Sequence, residues 1–278
     1  MSKNELIQEF NDASQVLLRA QDLSPRNKAA EKAVLSLIDM CIENSELVAE
    51  QSQQMSEHDL LSLRRAFLEA DCEMEKYWSE KIIQSVGEDE ALSWDNFGIY
   101  PWFQDYPALY DFEKRAIEKT LGPITEDTTI TYFGSGALPI IPLMLALETG
   151  CQIKCVDIND GAVNLSTRLI DKMGLSDKIS VHKGDGISIP EDHNNPDLLF
   201  LANAPLSVED ALNNMLPTMQ PKVIFARSSA GGTALLYPSI SENAFSKSGY
   251  EIDHVAQDHE HGTHTGLVYE RPQMRKPV

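Results

Sequence analysis

The sequence is poor in positive charge and contains no long apolar run. Lysine and arginine number 23 against 43 aspartates and glutamates, which gives a formal net charge of -20 at pH 7. Nucleic-acid binding depends on lysine and arginine that neutralise phosphates, so nucleic acid is excluded as an expected partner. No segment approaches the roughly 18 uncharged apolar residues of a spanning helix, and the start has no secretory apolar region. We therefore expect a cytoplasmic protein without membrane segments.

Cysteine is also scarce. The four cysteines, Cys41, Cys72, Cys151 and Cys155, form no CxxC pair, a pattern that favours reduced thiols in a cytosol over disulfides or a zinc site. A chain of 278 residues with 42% hydrophobic and 24% charged residues has enough apolar surface to fold without either support. We expect a folded protein whose surface suits small cationic or zwitterionic substrates.

The first part of the chain has helical periodicity. Apolar residues recur at helical spacing over residues 5–20, 25–50 and 56–85, and Ser56 with Asp59 makes a capping-type helix start. An aromatic connection with two prolines follows at residues 94–110. The pattern predicts a helical N-terminal domain over residues 1–122. The apolar faces of its first helices fit either a homodimer or packing within the chain.

From residue 128 onward, strands alternate with helices. The β-branched and aromatic segments 129–133, 153–156, 179–182, 198–202 and 223–226 read as strands, and residues 138–148 and 160–173 lie between them as helices. Strands that alternate with helices form a parallel sheet through right-handed crossovers. The sequence predicts an α/β, Rossmann-like domain over residues 123–278.

Acidic residues and glycines stand at the ends of three consecutive predicted strands. Gly134, Ser135 and Gly136 form a turn between a strand and a helix, where backbone amides bind ligands in open α/β folds. Asp157 ends the next strand, at the spacing of a carboxylate that accepts both ribose hydroxyls, and Asp185 follows the third. Pro139 breaks a GxGxxG pattern, so a dinucleotide is disfavoured. The pattern predicts a nucleoside site; the alternative is that these residues only form turns.

The third predicted helix carries a glutamate on its apolar face. Positions 61, 68, 72, 75 and 82 share that face and hold apolar residues except for Glu75. An apolar setting raises a carboxyl pKa towards the value that suits a general base near neutral pH. The alternative is a boundary glutamate that reaches water or pairs with Arg64 or Arg65.

Two further clusters are open to more than one interpretation. The aromatic rings between Tyr100 and Tyr106 are interleaved with an aspartate, and would hold a sulfonium cation or clasp two halves of the protein together. The histidines His254, His259, His261 and His264 are of a ligand type for zinc or nickel, but their spacing matches no structured site and favours a polar hairpin loop. No metal site is therefore predicted.

Several stretches resemble one family in the same order along the chain. The turn Tyr132-Phe-Gly-Ser-Gly-Ala-Leu-Pro139, with Leu-Pro after the glycines, resembles the nicotianamine synthase family. Three other segments are similar to the same family: Met74-Glu75-Lys76, Tyr100-Pro101 through Tyr106 to Glu113, and Arg227 through Gly231 to Leu236-Tyr237. The family includes plant and archaeal nicotianamine synthases and bacterial enzymes of opine-metallophore synthesis.

The resemblance implies a helical domain beside a class I methyltransferase-type domain that does not methylate. It implies transfer of the 3-amino-3-carboxypropyl group of S-adenosylmethionine to an amino acid, with histidine as the expected acceptor, 5'-methylthioadenosine as the other product and no metal. It makes Glu75 the general base and places Tyr106 beside the reacting amine. Substrate binding is assigned to Arg227 and Tyr237. The implied S-adenosylmethionine contacts are Gly134, Ser135, Gly136, Leu138, Pro139, Asp157, Asp185 and Asn203.

Three other functions remain open on the sequence. The amine of S-adenosylmethionine would attack its own chain and give azetidine-2-carboxylate, or the domain would be an ordinary methyltransferase. A non-enzymatic alternative is a metal-binding protein that uses the histidine cluster. The nucleoside and amine products separate these readings.

Overall fold

The computed structural model describes residues 2–184, 195–202, 208–257 and 265–272. The chain forms two compact units, each discontinuous in sequence. The first comprises residues 1–77, 228–239 and 257–265, and the second comprises residues 78–227, 240–256 and 266–278. The domain boundary predicted between residues 122 and 123 stays a prediction.

Four α-helices begin in the described part of the first unit. They are α1 (Lys3–Arg19), α2 (Lys28–Glu43), α3 (Ser45–Gln54) and α4 (Glu57–Gln84), the last of which continues into the second unit. The Ser56 hydroxyl accepts a hydrogen bond from the Asp59 amide at 3.1 Å, which confirms the predicted start of α4. A single helix over residues 25–50 is wrong: the backbone of Asn44 leaves helical geometry at φ -128° and ψ 39° and separates α2 from α3.

Helices α1 and α2 bury apolar stripes. Phe10 and Leu17 of α1 and Val34 and Leu37 of α2 are each at most 4% exposed, at the seven- and three-residue spacings that place side chains on one face of a helix. The apolar faces predicted on the first helices are therefore covered within the chain to this extent.

The segment 228–239 returns to the first unit and is fixed to its helices. The Gly232 amide donates to the Ser45 hydroxyl at 2.7 Å, and the Arg64 guanidinium donates to the carbonyls of Leu235 and Ala234 at 3.2 and 2.6 Å. A Cβ atom on Gly232 would lie 2.9 Å from the Cys41 carbonyl oxygen. Only glycine therefore lets this segment approach α2 and α3 so closely.

A seven-stranded sheet forms the second unit. Its strands are β1 (Thr129–Phe133), β2 (Gln152–Asp157), β3 (Ile179–Lys183), β4 (Leu198–Leu201), β5 (Val223–Ser228), β6 (Glu251–Gln257) and β7 (Thr265–Glu270). Their order across the sheet is β3-β2-β1-β4-β5-β7-β6, and the neighbours among β1 to β5 pair in parallel. The predicted Rossmann-like parallel sheet is confirmed.

Helices cover this sheet. They are α5 (Trp94–Phe97), α6 (Tyr106–Leu121), α7 (Ile140–Thr149), α8 (Asp160–Lys172) and α9 (Val208–Met219). Successive strand residues enter different cores: Phe200 of β4 joins Tyr132 and Phe225, whereas Leu199 and Leu201 join the opposite cluster. Within the described ranges, no helix is both long enough and apolar enough to cross a membrane. All four cysteines are free thiols, as predicted.

A lysine at the end of α8 binds the loop between α4 and α5. The Lys172 ammonium donates to the carbonyls of Gly87, Glu88 and Glu90 at 2.9, 2.9 and 3.1 Å. The Lys172 carbonyl in turn accepts from the Leu92 amide at 2.8 Å. One residue thus holds a loop that is 80 or more residues away in sequence.

Candidate active site

The glycine turn leaves β1 at the carboxyl edge of the sheet, where the sequence predicted it. Gly134 and Gly136 have φ angles of 73° and 66°, in the left-handed region that glycine enters without a steric cost. The Gly134 amide donates to the Val156 carbonyl at 2.9 Å, which joins the turn to the end of β2. The turn therefore needs glycine for its backbone geometry.

Three other residues with predicted S-adenosylmethionine contacts have buried side chains. Leu138 is 3% exposed and belongs to the core, and Pro139 is buried at the start of α7. Ser135 is 5% exposed and lies beside the Cys155 thiol, whose pKa burial raises to about 12. The side chains of these residues are buried below the turn. Contacts of Leu138 and Pro139 with a ligand would therefore be made by their backbone.

Asp157 links the glycine turn to the next turn of the sheet edge. Its Oδ2 accepts a hydrogen bond from the Gly136 amide at 2.9 Å, and its Oδ1 accepts from the Asn159 amide at 2.9 Å. A carboxylate oxygen has two lone pairs, so each oxygen retains capacity for one hydroxyl. Asp157 can thus hold the turn and accept two ribose hydroxyls at once.

An exposed isoleucine follows Asp157. Ile158 is 68% exposed, the highest value for a large hydrophobic side chain in the described part of the chain, and Asn159 caps α8 immediately after it. An apolar side chain left in water beside a carboxylate with free acceptor capacity offers a surface for a flat, weakly polar group. Sequence reasoning missed this residue, although an apolar residue inside the polar turn Asp157 to Asp160 was a usable signal.

Some predicted residues lie outside the described part of the chain. These are Asp185, Asn203, His259, His261 and His264. Of the histidine cluster, His254 is described, and its Nδ1 lies 3.0 Å from an oxygen of Asp253 on β6. Strands β6 and β7 flank the remainder of the cluster and are neighbours in the sheet. The metal and hairpin interpretations of this cluster stay predictions.

Glu75 lies on α4, but the buried stripe of that helix differs from the predicted one. Leu63, Phe67, Ala70 and Met74 are each at most 2% exposed, whereas Glu75 is half-buried together with Leu61, Leu68 and Cys72. Ile82, the last residue of the predicted face, is 0% exposed, so this face lies at the boundary of the buried surface over residues 61–75 and within it at Ile82. A boundary position leaves a carboxylate accessible to a substrate while part of its hydration is removed.

A second carboxyl group on α4 was missed by the sequence analysis. Asp71 lies one helical turn before Glu75, and burial raises its pKa to about 6, although a hydrogen bond with the Tyr237 side chain opposes part of the rise. The Tyr237 ring also meets Phe67 edge to face, with centroids 5.4 Å apart. Tyr237 is thus held between two α4 side chains, and its carbonyl accepts a hydrogen bond from the hydroxyl of Ser229.

The aromatic connection packs against the core of the second unit, and Tyr106 begins α6. The Tyr100 ring lies 6.1 Å from the Tyr106 ring, 5.4 Å from Trp102 and 6.4 Å from Trp78. Tyr100 is 7% exposed, whereas the other three keep part of their surface in water. The rings therefore form a rigid cluster with Tyr100 at its base, and both predicted roles are compatible with it.

Arg227, predicted to receive a substrate carboxylate, already holds a carboxylate of the protein. Its Nε and Nη2 donate to the two oxygens of Glu113, with Nη2 at 3.0 Å. Glu113 comes from α6 and is 1% exposed, against 16% for the Arg227 side chain. The bidentate partner was not foreseen, because 114 residues separate the two in sequence.

The second unit brings together several of the predicted residues. The glycine turn, Asp157 and Arg227 all stand at carboxyl ends of parallel strands, and Tyr106 contributes to the electrostatic environment of Arg227. Glu75 and Tyr237 belong to the first unit, where α4 and the segment 228–239 place them. The arrangement at the sheet edge can bind a nucleoside and an anionic group.

Comparison with known proteins gives one family over nearly the whole chain. The model of the nicotianamine synthase protein family matches residues 1–273. Nicotianamine synthase 3 of Oryza sativa is 22% identical over 287 aligned residues, which cover 99% of this chain and 80% of the rice protein. An L-histidine 2-aminobutanoyltransferase of Pseudomonas aeruginosa is 29% identical over 115 residues, which cover 41% of this chain and 38% of the relative.

Solved structures share the fold. A crystal structure of MtNAS in complex with MTA and tNA matches with a TM-score of 0.74 at 16% identity, covering 96% of this chain and 97% of MtNAS. A variant of MtNAS in complex with S-adenosylmethionine matches with a TM-score of 0.70. The agreement in fold and the family match lead to one conclusion: the chain belongs to the nicotianamine synthase family of S-adenosylmethionine-dependent transferases.

Proposed function

We propose that the protein transfers the 3-amino-3-carboxypropyl group of S-adenosylmethionine to the amine of an amino acid, with histidine as the acceptor, and releases 5'-methylthioadenosine. The observation that carries the proposal is the family match over residues 1–273. The relative named for L-histidine as its acceptor supports histidine. A histidine adduct with extra amine and carboxylate groups would chelate divalent metals, which fits a step in metallophore synthesis.

The geometry of the sheet edge supports the nucleoside half of this substrate. The Gly134 and Gly136 backbone leaves room for close approach of a ligand. Asp157 would accept the ribose hydroxyls, and the exposed side chain of Ile158 would cover one face of the adenine. The sulfonium of S-adenosylmethionine supplies carbon atoms activated for displacement, so the residues around it select which carbon reacts.

Glu75 would accept the proton that the acceptor must lose. Only a neutral amine has a lone pair for attack, so an ammonium must first give its proton to a base. The nitrogen then forms a bond to the terminal carbon of the aminocarboxypropyl chain while the carbon–sulfur bond breaks. The bonding pair stays on sulfur, which leaves methylthioadenosine as a neutral thioether, and Glu75 returns the proton to solvent.

The aromatic cluster would stabilise the positive charge before the reaction. Tyr106, Trp102 and Trp78 are partly exposed rings around Tyr100. A cation over an aromatic face is stabilised by about 0.5 to 2 kcal/mol, and Tyr106 can also orient the amine through its hydroxyl. The reaction as proposed needs no metal, so EDTA should leave its rate unchanged.

The experiment is a product analysis by mass spectrometry. Purified protein is incubated with S-adenosylmethionine alone and with L-histidine, D-histidine or a mixture of amino acids. Methylthioadenosine together with an aminocarboxypropyl adduct is the expected result, and the adduct names the acceptor and its chirality. Methylthioadenosine without an acceptor would indicate cyclisation to azetidine-2-carboxylate, and S-adenosylhomocysteine would indicate a methyltransferase; either result overturns the proposal.

A pair of variants on α4 tests the role of Glu75. Glu75→Gln removes the base while keeping the shape, so turnover should fall by about 100-fold or more, with S-adenosylmethionine binding within a few-fold of wild type. Glu73→Gln is the matched control, because Glu73 pairs with Lys76 at 2.8 Å on the same helix. Equal activity of Glu75→Gln and wild type would assign the proton transfer to another group.

A further inference from the structure

Arg227, the partner of Glu113, lies at the same height in the sheet as the glycine turn. Phe133 of β1 is in register with Leu201 of β4, and Leu201 is in register with Ala226 of β5. The next residues along the two strands, Gly134 after β1 and Arg227 near the end of β5, therefore lie at the same height, two strands and about 10 Å apart. Asp157 leaves β2 on the other side of β1. A ligand with its ribose at Asp157 would direct its opposite end towards Arg227.

Of the two side chains in the pair, Arg227 keeps more exposed surface than Glu113. Glu113 is 1% exposed and Arg227 is 16% exposed. The carboxylate takes the Nε proton and one Nη2 proton of Arg227. A guanidinium has five N–H donors, so three, on Nη1 and Nη2, have no hydrogen-bond partner among the described residues. The edge formed by Nη1 and Nη2 matches the spacing of the two oxygens of a second carboxylate.

Aromatic rings of two strands fix the plane of the guanidinium. The Arg227 guanidinium lies over the Phe200 ring, 5.4 Å from its centroid. Phe200 stacks on Tyr132 with centroids 4.3 Å apart, and both rings are at most 2% exposed. A planar cation stacked on a buried ring and held along one edge has little freedom to turn. Its remaining edge is therefore preorganised.

The Glu113–Arg227 pair supplies a fixed, oriented positive charge and takes no part in proton transfer. Burial alone would lower the pKa of Arg227, but the Glu113 carboxylate outweighs it and the net shift is upward. The guanidinium thus keeps its charge throughout the physiological range. An ion pair buried only for stability gains little over apolar residues of the same shape, so the three remaining donors of Arg227 favour a ligand-binding role for this pair.

We infer that Glu113 is a positioning residue that holds Arg227 so that the free edge of the guanidinium binds the α-carboxylate of an amino-acid group. The inference rests on the proposed function, in which two such groups are present: the aminocarboxypropyl end of S-adenosylmethionine and the acceptor amino acid. Both present the same chemistry to Arg227. Glu113 acts through Arg227 and does not itself touch the ligand.

Ligands without their carboxylate test this inference directly. Dissociation constants of wild type, Glu113→Gln and Arg227→Lys are measured by calorimetry for S-adenosylmethionine and for decarboxylated S-adenosylmethionine. The same comparison is made for L-histidine and histamine in the presence of methylthioadenosine. In the wild type, loss of the carboxylate from the ligand that Arg227 binds should weaken binding by about 10- to 100-fold. In both variants that ratio should fall towards one.

The ratio of the two dissociation constants distinguishes positioning from a merely structural role, because a loss of stability weakens the binding of both ligands in a pair equally. If the ratio falls for S-adenosylmethionine and its decarboxylated form, Arg227 binds the carboxylate of the transferred chain. If it falls for histidine and histamine, Arg227 binds the carboxylate of the acceptor. An unchanged ratio in both pairs overturns the inference. The binding data do not depend on turnover, so they stand even where the product analysis fails to give methylthioadenosine.

Two further variants guard against misfolding. Glu113→Asp keeps the charge but shortens the side chain, so it should fold where Glu113→Gln does not, and should give an intermediate ratio. Glu148→Gln removes a carboxylate from an ion pair with Lys114 at 2.6 Å in the same unit and should keep the wild-type ratio. A wild-type ratio in Glu113→Asp together with wild-type stability would argue against positioning by Glu113.

Discussion

The Asp157 carboxylate accepts a hydrogen bond from the Gly136 amide at 2.9 Å, so the end of β2 holds the turn that follows β1. Asp157→Asn replaces an acceptor that contacts both the turn and the proposed ribose. We expect the dissociation constant for S-adenosylmethionine to rise by about 10- to 100-fold, because charge-assisted hydrogen bonds are lost. Calorimetric titration measures it, and unchanged affinity would show that Asp157 serves the turn alone.

Gly136→Ala tests the need for a left-handed backbone in the turn. The φ angle of 66° costs a residue with a side chain about 1 to 2 kcal/mol. Gly174→Ala is the matched control, because Gly174 has a φ of 70° and an added Cβ would meet nothing within 4 Å. Thermal unfolding should shift similarly in both variants, whereas only Gly136→Ala should weaken S-adenosylmethionine binding. Equal binding by the two variants would contradict the proposed site.

Asp71 should make stability depend on pH in an unusual direction. Its folded-state pKa of about 6 lies above its ordinary value of 3.8, so the folded state binds the proton more tightly and stability falls as pH rises between those values. Asp71→Asn removes this cost. The variant should therefore gain stability relative to wild type on going from pH 4 to pH 7, by about 1 to 3 kcal/mol.

Urea unfolding at several pH values measures this gain. Asp59→Asn is the control, because hydrogen bonds from Ser56 lower the pKa of Asp59. A carboxyl with a lowered pKa stabilises the fold above its ordinary pKa and loses that contribution as pH falls. Asp59→Asn should therefore lose stability relative to wild type as pH rises. The same pH trend in both variants would refute the assignment for Asp71.

Lys172→Met tests the loop contacts at the end of α8. Its ammonium donates to three carbonyls, and these exposed hydrogen bonds together contribute about 1 kcal/mol. We expect a fall of a few degrees in the unfolding temperature and an unchanged KM for S-adenosylmethionine. Lys247→Met, at an exposed position, should leave both quantities unchanged. A large KM change in Lys172→Met would extend the site towards this loop.

Local sequence signals predicted most of the sheet. The β-branched and aromatic run 129–133 coincides with β1, and the predicted strand at 179–182 lies within β3, because such residues favour strands flanked by turn formers. The glycine turn was also predicted, since glycine is the residue that a left-handed turn requires. These features depend on residues that are neighbours in the sequence, so local patterns are enough to predict them.

Features that depend on distant residues were not predictable. The break at Asn44 is not visible in the sequence because apolar periodicity continues across it, whereas in the structure Ser45 contacts Gly232, a residue far along the chain. The true buried stripe of α4 depends on which surface covers the helix. Glu113 as partner of Arg227 is set by α6 meeting the end of β5. Asp71 gains its raised pKa from burial that no local pattern encodes.

The first unit has a consequence for synthesis on the ribosome. Its helices up to residue 77 emerge early, yet Ser45 and Arg64 bind the segment 228–239, which is translated about 150 residues later. At about 5 to 20 residues per second, the helices would wait roughly 8 to 30 s for this segment. During that interval the surfaces of α2, α3 and α4 that receive it stay uncovered. We therefore expect chaperones to bind the uncovered surfaces of these helices during synthesis. A chain truncated before residue 228 should aggregate.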